Sequence, residues 1–298
     1  MIKRTIDISE QSYLRLEHRQ LCVDRRGETI ARIPIEDLGI LILQHPAIVM
    51  TQAVVTRCQQ NNVAILFCDE RYLPVSITLP LWKGHSLHTK VLQRQLAMTE
   101  STRKRLWKQI VMEKIRHQAK NVERAGASAK SLWRLVEKVK AGDPQNCEAQ
   151  AAKQYWRLLM GKEFQRDTEG AGVNALLNYG YAVVRAMIAR ALVGTGLHPA
   201  IGLHHKNQYN GLCLADDVME PFRPWVDWMV FRLQLDDSEP AIDREAKQQL
   251  LGLLAEDVLF DGRKMPLMVA THSLAAQFKD ALGAKRRLLY PERLSEPL

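Results

Sequence analysis

Apolar and polar positions alternate through the first eighty residues and then change period. Residues 4–8 alternate, as does Tyr13-Leu14-Arg15-Leu16-Glu17, and a period of two marks half-buried strands. Residues 21–24 and 29–33 flank Arg25-Arg26-Gly27-Glu28, a hairpin whose turn uses the backbone freedom of Gly27. Ile40-Leu41-Ile42-Leu43 and Ala64-Ile65-Leu66-Phe67 are unbroken apolar runs of strand length, expected to be buried on both faces. Between them Thr51 is placed to cap a helix through about residue 61, with Val54, Val55 and Cys58 on one side. Residues 74–80 read as a last strand.

From about residue 89 the apolar spacing becomes helical nearly to the end. Leu106 pairs with Ile110, and Trp107 with Val111 and Ile115. Helices are expected at 103–124, 131–140, 146–160 and 174–192. Another carries Asp217 and Glu220 past Trp225, kinked at Pro221 and Pro224. Two more are expected at 243–259 and 267–282. The tail, 285–298, is charged, contains proline and is expected to be mobile. The fold class is therefore α+β: an N-terminal β-rich domain, residues 1–84, followed by a larger all-helical domain, residues 85–298.

Composition narrows the class further. The 298 residues are 46% hydrophobic and 25% charged, as in globular proteins. No apolar run approaches the roughly 20 residues of a membrane span. The N-terminus lacks the apolar core of a signal peptide. The five cysteines are scattered and never form CxxC, so a reducing, cytoplasmic setting is expected. The formal charge of +9 favours an anionic partner, with DNA or RNA first. Residues 103–124 hold eight Lys or Arg, among them Arg103, Lys104, Arg105 and Lys108, against Glu113 and Glu123, a net of +6. Such a run is either a solvated helix face or one that tracks phosphates.

The candidate chemistry lies at 202–224. His204 and His205 follow Gly202-Leu203, and Asp216, Asp217 and Glu220 fall within five residues before Pro221-Phe222-Arg223-Pro224. Asp217 and Glu220, three apart on a helix, project from one face. Glu148 opens a separate helix, where Ala151 and Ala152 allow close packing. One imidazole with two or three carboxylates suits Mg²⁺ or Mn²⁺. The absence of HExxH and of clustered Cys argues against a zinc protease. On spacing alone, structural readings stay open: Glu148 as an acid favoured by the helix dipole, Asp216 as an N-cap, and His204 as a supporting group. His45, His85, His117 and His272 are read as ordinary side chains.

Three segments carry a resemblance: Glu148-Ala-Gln-Ala-Ala-Lys-Gln-Tyr-Trp156, Asn174-Ala-Leu-Leu-Asn-Tyr-Gly-Tyr181, and residues 199–223. Through them, and across essentially the whole chain, the sequence resembles the CRISPR-associated integrase that inserts new spacers, in the form found in type II systems. The resemblance implies an N-terminal β-sandwich joined to a helical catalytic domain. It implies that Glu148, His205 and Glu220 bind the divalent metal, Glu220 standing where some branches carry Asp, and that Asp217 lines the site. It further implies a homodimer that assembles with a small second adaptation protein into a heterohexamer-like complex, and attack of a 3′-hydroxyl on a repeat phosphodiester. Arg223 and the basic residues of 103–120 would hold the DNA backbone. Two other readings are a stand-alone metal-dependent nuclease and a non-catalytic nucleic-acid-binding protein.

Overall fold

The structure is a computed structural model that describes residues 3–80, 85–236 and 241–294. The expected boundary at residue 84 lies outside the described residues. Two four-stranded sheets form the N-terminal part. Its strands are β1 (Arg4–Ile8), β2 (Tyr13–Glu17), β3 (Gln20–Arg25), β4 (Glu28–Pro34), β5 (Leu38–Leu43), β6 (Val49–Met50), β7 (Ala64–Cys68) and β8 (Pro74–Thr78), with helix α1 (Gln52–Gln60) before β7. One sheet runs β1-β5-β7-β8, parallel except for β8; the other runs β4-β3-β2-β6. The β3–β4 hairpin turns on Arg26 and Gly27, both with positive φ (50° and 85°), the geometry of a tight hairpin turn.

The apolar run of β5 is buried on both faces, and its alternation assigns each residue to a core. Leu41 and Leu43 join Leu14, Leu21 and Val23 of the other sheet, whereas Ile40 and Ile42 face the helices. One apolar strand thus seals two cores, as a period of two requires. Thr51 stands at the N-cap of α1, but its side chain makes no cap hydrogen bond and its hydroxyl is buried without a partner.

The C-terminal part contains α2 (His88–Leu96), α3 (Glu100–Arg124), α4 (Lys130–Lys138), α5 (Cys147–Leu159), α6 (Val173–Gly194), α7 (Cys213–Met219) and α8 (Arg223–Asp236). These are followed by α9 (Arg244–Gly252), β9 (Asp257–Phe260), β10 (Arg263–Pro266), α10 (Leu267–Ala281) and β11 (Glu292–Arg293). Helix α3 is started by Thr99, whose Oγ1 accepts from Thr102 N at 3.2 Å, and it packs against α4, α5 and α8. Helix α6 is long and apolar enough to cross a membrane, but 83% of its apolar window is buried inside the protein. Pro221 interrupts the helix as expected, in a 3₁₀ turn over Glu220–Phe222 between α7 and α8, whereas Pro224 stands in the first turn of α8 and makes no second kink.

Two expectations are corrected. The helix expected at 243–259 ends at Gly252, and the chain turns through Leu253–Ala255 into the β9–β10 hairpin. Asp261 and Gly262 supply that hairpin's positive-φ turn (50° and 72°), a strong hairpin pair. The helical part therefore carries a small sheet, β10-β9-β11. The tail is fastened as far as Arg293: Leu288 is buried, β11 pairs with β9, and Arg293 binds Glu256. Residues 295–298 of that tail lie outside the described residues.

Candidate active site

Asp217, on α7, is fully buried and gathers the loop before it. Its Oδ2 accepts from the backbone N–H of Leu203 (2.5 Å) and His204 (3.1 Å), and its Oδ1 from that of His205 (3.1 Å). Oδ1 also lies 2.7 Å from His205 Nδ1. Several N–H groups on one carboxylate make the burial of its charge tolerable. An ionised carboxylate only accepts, so in the neutral imidazole Nδ1 carries the proton and Nε2 is the nitrogen with a free lone pair. The hydrogen bond to Asp217 raises the His205 pKa; burial opposes it and Glu220 adds to the rise. Gly202 is required by crowding: a Cβ there would sit 2.3 Å from the His205 carbonyl oxygen. The His204 ring lies flat on Trp107 of α3, centroids 4.3 Å apart, and the Trp107 ring meets His205 edge-on.

Asp216 is not the helix cap. Helix α7 begins at Cys213, which puts Asp216 in its first turn. There it binds Arg185 of α6 (2.6 and 2.8 Å) and Asn210, fastening the 206–212 loop.

Glu148 sits in the first turn of α5, whose N-terminal N–H groups of Cys147 and Glu148 donate to Asp143. Ala151 and Tyr155, one and two turns on, are fully buried and bring α5 close to α3. Glu148 and Glu220, 72 positions apart, meet at one group: the Lys114 ammonium donates to Glu148 Oε1 and to Glu220 Oε2. Arg223 binds the other oxygen of Glu220 at 2.8 Å. Burial pushes the Glu220 pKa up, but Arg223 and Lys114 outweigh it and hold it at about 2. Burial also works against the Lys114 ammonium, and Glu220 and Glu148 overcome it, raising its pKa. Such a buried cluster persists only because every charge is paired.

Behind it, Arg223 lies 4.7 Å over the ring of Tyr181. The Tyr181 hydroxyl donates to Asp227, and Asn121 Nδ2 donates to the Tyr155 hydroxyl at 3.0 Å. Burial pushes the Asp227 carboxyl up to about 7, against the hydrogen bonds from Tyr181 and Tyr155.

A family model described as "CRISPR associated protein Cas1" matches residues 8–239. The chain belongs to the Cas1 family. The CRISPR-associated endonuclease Cas1 of Neisseria meningitidis serogroup C (strain 8013) is 34% identical over 299 residues, covering 99% of this chain and 97% of its own. Among solved structures, a casposase bound to integration product superposes with a TM-score of 0.77 at 18% identity, over 97% of this chain and 92% of that one. A Cas6-RT-Cas1–Cas2 complex gives 0.75 at 17% identity, over 94% of this chain and 35% of that one. At such identities the structural matches concern the fold.

In this Cas1-family chain the donor set fits a hard divalent cation in kind. It offers two carboxylates and an imidazole Nε2 whose ring is oriented by a carboxylate on Nδ1. The set is not assembled for chelation: among the described residues no three His, Cys, Asp or Glu side chains form a metal-holding group. Lys114 stands between Glu148 and Glu220 instead.

The basic residues divide by what they touch. Arg105 donates to the carbonyls of Ala281, Ala284 and Arg286, closing the end of α10. Arg223 is taken up by Glu220 and Tyr181. Lys104 lies 3.6 Å from Glu100, and Arg103 and Lys108 are half-buried on α3. Sequence reasoning missed Lys114, which it placed in the basic run. The signal for it was the helical repeat: Val111, Lys114, Ile115 and Gln118 share the buried stripe of α3.

Proposed function

We propose that this protein is a divalent-metal-dependent DNA endonuclease and integrase of CRISPR adaptation. It joins the 3′-hydroxyl of a short incoming DNA to a phosphodiester of the CRISPR repeat. The observation that carries this reading is the convergence of Glu148 and Glu220 beside the Asp217–His205 pair. The near full-length similarity to a named Cas1 endonuclease supports it. So does the shared fold of a casposase bound to integration product.

Glu148, Glu220 and His205 Nε2 would hold Mg²⁺ or Mn²⁺. Held there, a divalent ion would supply Lewis acidity to the scissile phosphate and positive charge for the entering and leaving oxygens. Asp217 keeps His205 in the tautomer that presents Nε2. Arg223 holds Glu220 ionised and in place, and Trp107 fixes the plane of His204 beside it. The incoming 3′-oxygen forms a new P–O bond as the repeat's own P–O3′ bond breaks. One phosphodiester replaces another, so no external energy source is needed. Positioning and charge stabilisation carry the catalysis. Water in place of the 3′-hydroxyl gives cleavage, so nuclease activity comes from the same groups. Arg103, Lys104 and Lys108 are proposed as backbone contacts. The proposed partners are a second copy of this chain and the small second adaptation protein, a reading supported by the fold match to a Cas1–Cas2-containing complex.

The test incubates purified protein, the second adaptation protein, Mn²⁺ and a short duplex with a repeat-bearing plasmid. A joined product is expected with the wild type and none with His205→Ala. No product, or product that persists in His205→Ala, refutes the integrase reading.

A further inference from the structure

The proposed reaction gives Lys114 no task, yet the residue occupies the middle of the site. It is 8% exposed, on the face of α3 that also buries Val111, Ile115 and Gln118. Its ammonium touches one oxygen each of Glu148 and Glu220, the two carboxylates read above as metal ligands.

The charges of this cluster cancel. Lys114 and Arg223 carry two positive charges, and Glu148 and Glu220 two negative ones. A dication brought in beside both cations would leave the cluster with an uncompensated excess in a poorly screened place. The ion and the ammonium also compete for the same carboxylate oxygens. Arg223 is held by Glu220 Oε1, by the Tyr181 ring and at the start of α8, so it is the less movable cation. Lys114 has a flexible four-carbon stem, and its other partner, Glu148, has a side chain 27% exposed. That edge of the cluster is open to solvent.

We propose that Lys114 is a tethered stand-in for the divalent cation: it holds Glu148 and Glu220 together until the ion displaces it. The displaced ammonium moves to the solvent side of Glu148, where a DNA phosphate can receive it. Ion and DNA then favour each other's binding, because the phosphate supplies the negative charge that the neutral cluster lacks. This inference rests on the reading of Glu148, His205 and Glu220 as a metal site.

The experiment measures Mn²⁺ binding by calorimetry in the wild type, Lys114→Met and Lys114→Gln, each with and without a short DNA duplex. Thermal unfolding in chelator and in Mn²⁺ is followed in parallel. Without DNA, the variants are expected to bind Mn²⁺ at least about tenfold more tightly than the wild type. They should melt lower in chelator and gain more from Mn²⁺. Duplex should tighten Mn²⁺ binding to the wild type by a similar factor and to the variants much less. Variants that bind Mn²⁺ no better than the wild type overturn the role of Lys114 and leave the metal reading standing. If the wild type binds no Mn²⁺ even with duplex, the metal reading falls and takes this inference with it. Should the variants not fold, the wild type decides alone: Mn²⁺ affinity unmoved by duplex overturns the proposal.

Discussion

Replacing Asp217 with Asn keeps the shape of the side chain and removes its charge. In the wild type each carboxylate oxygen serves two donors: Oδ2 those of Leu203 and His204, Oδ1 the backbone and Nδ1 of His205. An amide retains one oxygen and turns an NH₂ toward the other two donors. Two N–H groups of the loop, buried or partly buried, then face that NH₂, each costing about 1–3 kcal/mol. The expected loss is about 2–5 kcal/mol, at the high end for a single substitution. His205 adds a pH signature. Its folded pKa is raised mainly by Asp217. The stability it contributes is complete below the unfolded value and is lost as pH rises through the folded one. The deficit of Asp217→Asn should therefore be larger at pH 6 than at pH 9. Urea unfolding followed by circular dichroism at both values checks this. A deficit under about 1 kcal/mol at either pH would refute the account of Asp217 as the group that organises the loop.

Three further outcomes follow from other contacts. Gly202→Ala drives a Cβ to 2.3 Å from the His205 carbonyl, whereas Gly211→Ala on the same loop meets nothing within 4 Å. The first should cost at least about 1–3 kcal/mol and lower DNA joining more than tenfold, and the second should stay within about 0.5 kcal/mol; equal effects would sink the crowding argument. Asp227, pushed up to about 7 in the folded chain from an ordinary 3.8, contributes stability that is complete below pH 4 and lost as pH rises through 7. Asp227→Asn should flatten that slope, and urea midpoints at pH 5 and pH 8 that differ as much as in the wild type speak against it. Trp107→Ala removes a ring that is 5% exposed and the stacking surface of His204. It should cost about 3–5 kcal/mol in unfolding experiments, and a cost under about 1 kcal/mol means the ring is not a packing anchor.

What the pattern disclosed and what it hid divide on physical lines. The turn at Gly27, the doubly buried run of β5 and the break at Pro221 each follow from a few adjacent residues. The β9–β10 hairpin was also written locally, in Asp261-Gly262, but a helical apolar spacing continuing to residue 259 masked it. The tail reads as mobile because its charges are counted without partners; Glu256 and Gln109, which fasten Arg293 and Leu288, lie far away in sequence. The site loop advertised itself through two histidines and three carboxylates. Their ranking by position could not show that Asp217 takes three backbone N–H groups while Asp216 turns to Arg185.

The order of residues was enough for the N-terminal strands, for most of the helices, for the broken segment that carries Asp217 and Glu220 and, through its motifs, for the family. Those properties arise from local backbone preference and from the period of apolar side chains. Packing alone made one cluster of Glu148, Lys114 and Glu220. Lys114 looks like its basic neighbours along the chain, because charge in a sequence carries no address. It becomes an interior cation when α5 and the 220–222 turn pack on that face of α3 and bring two carboxylates to it.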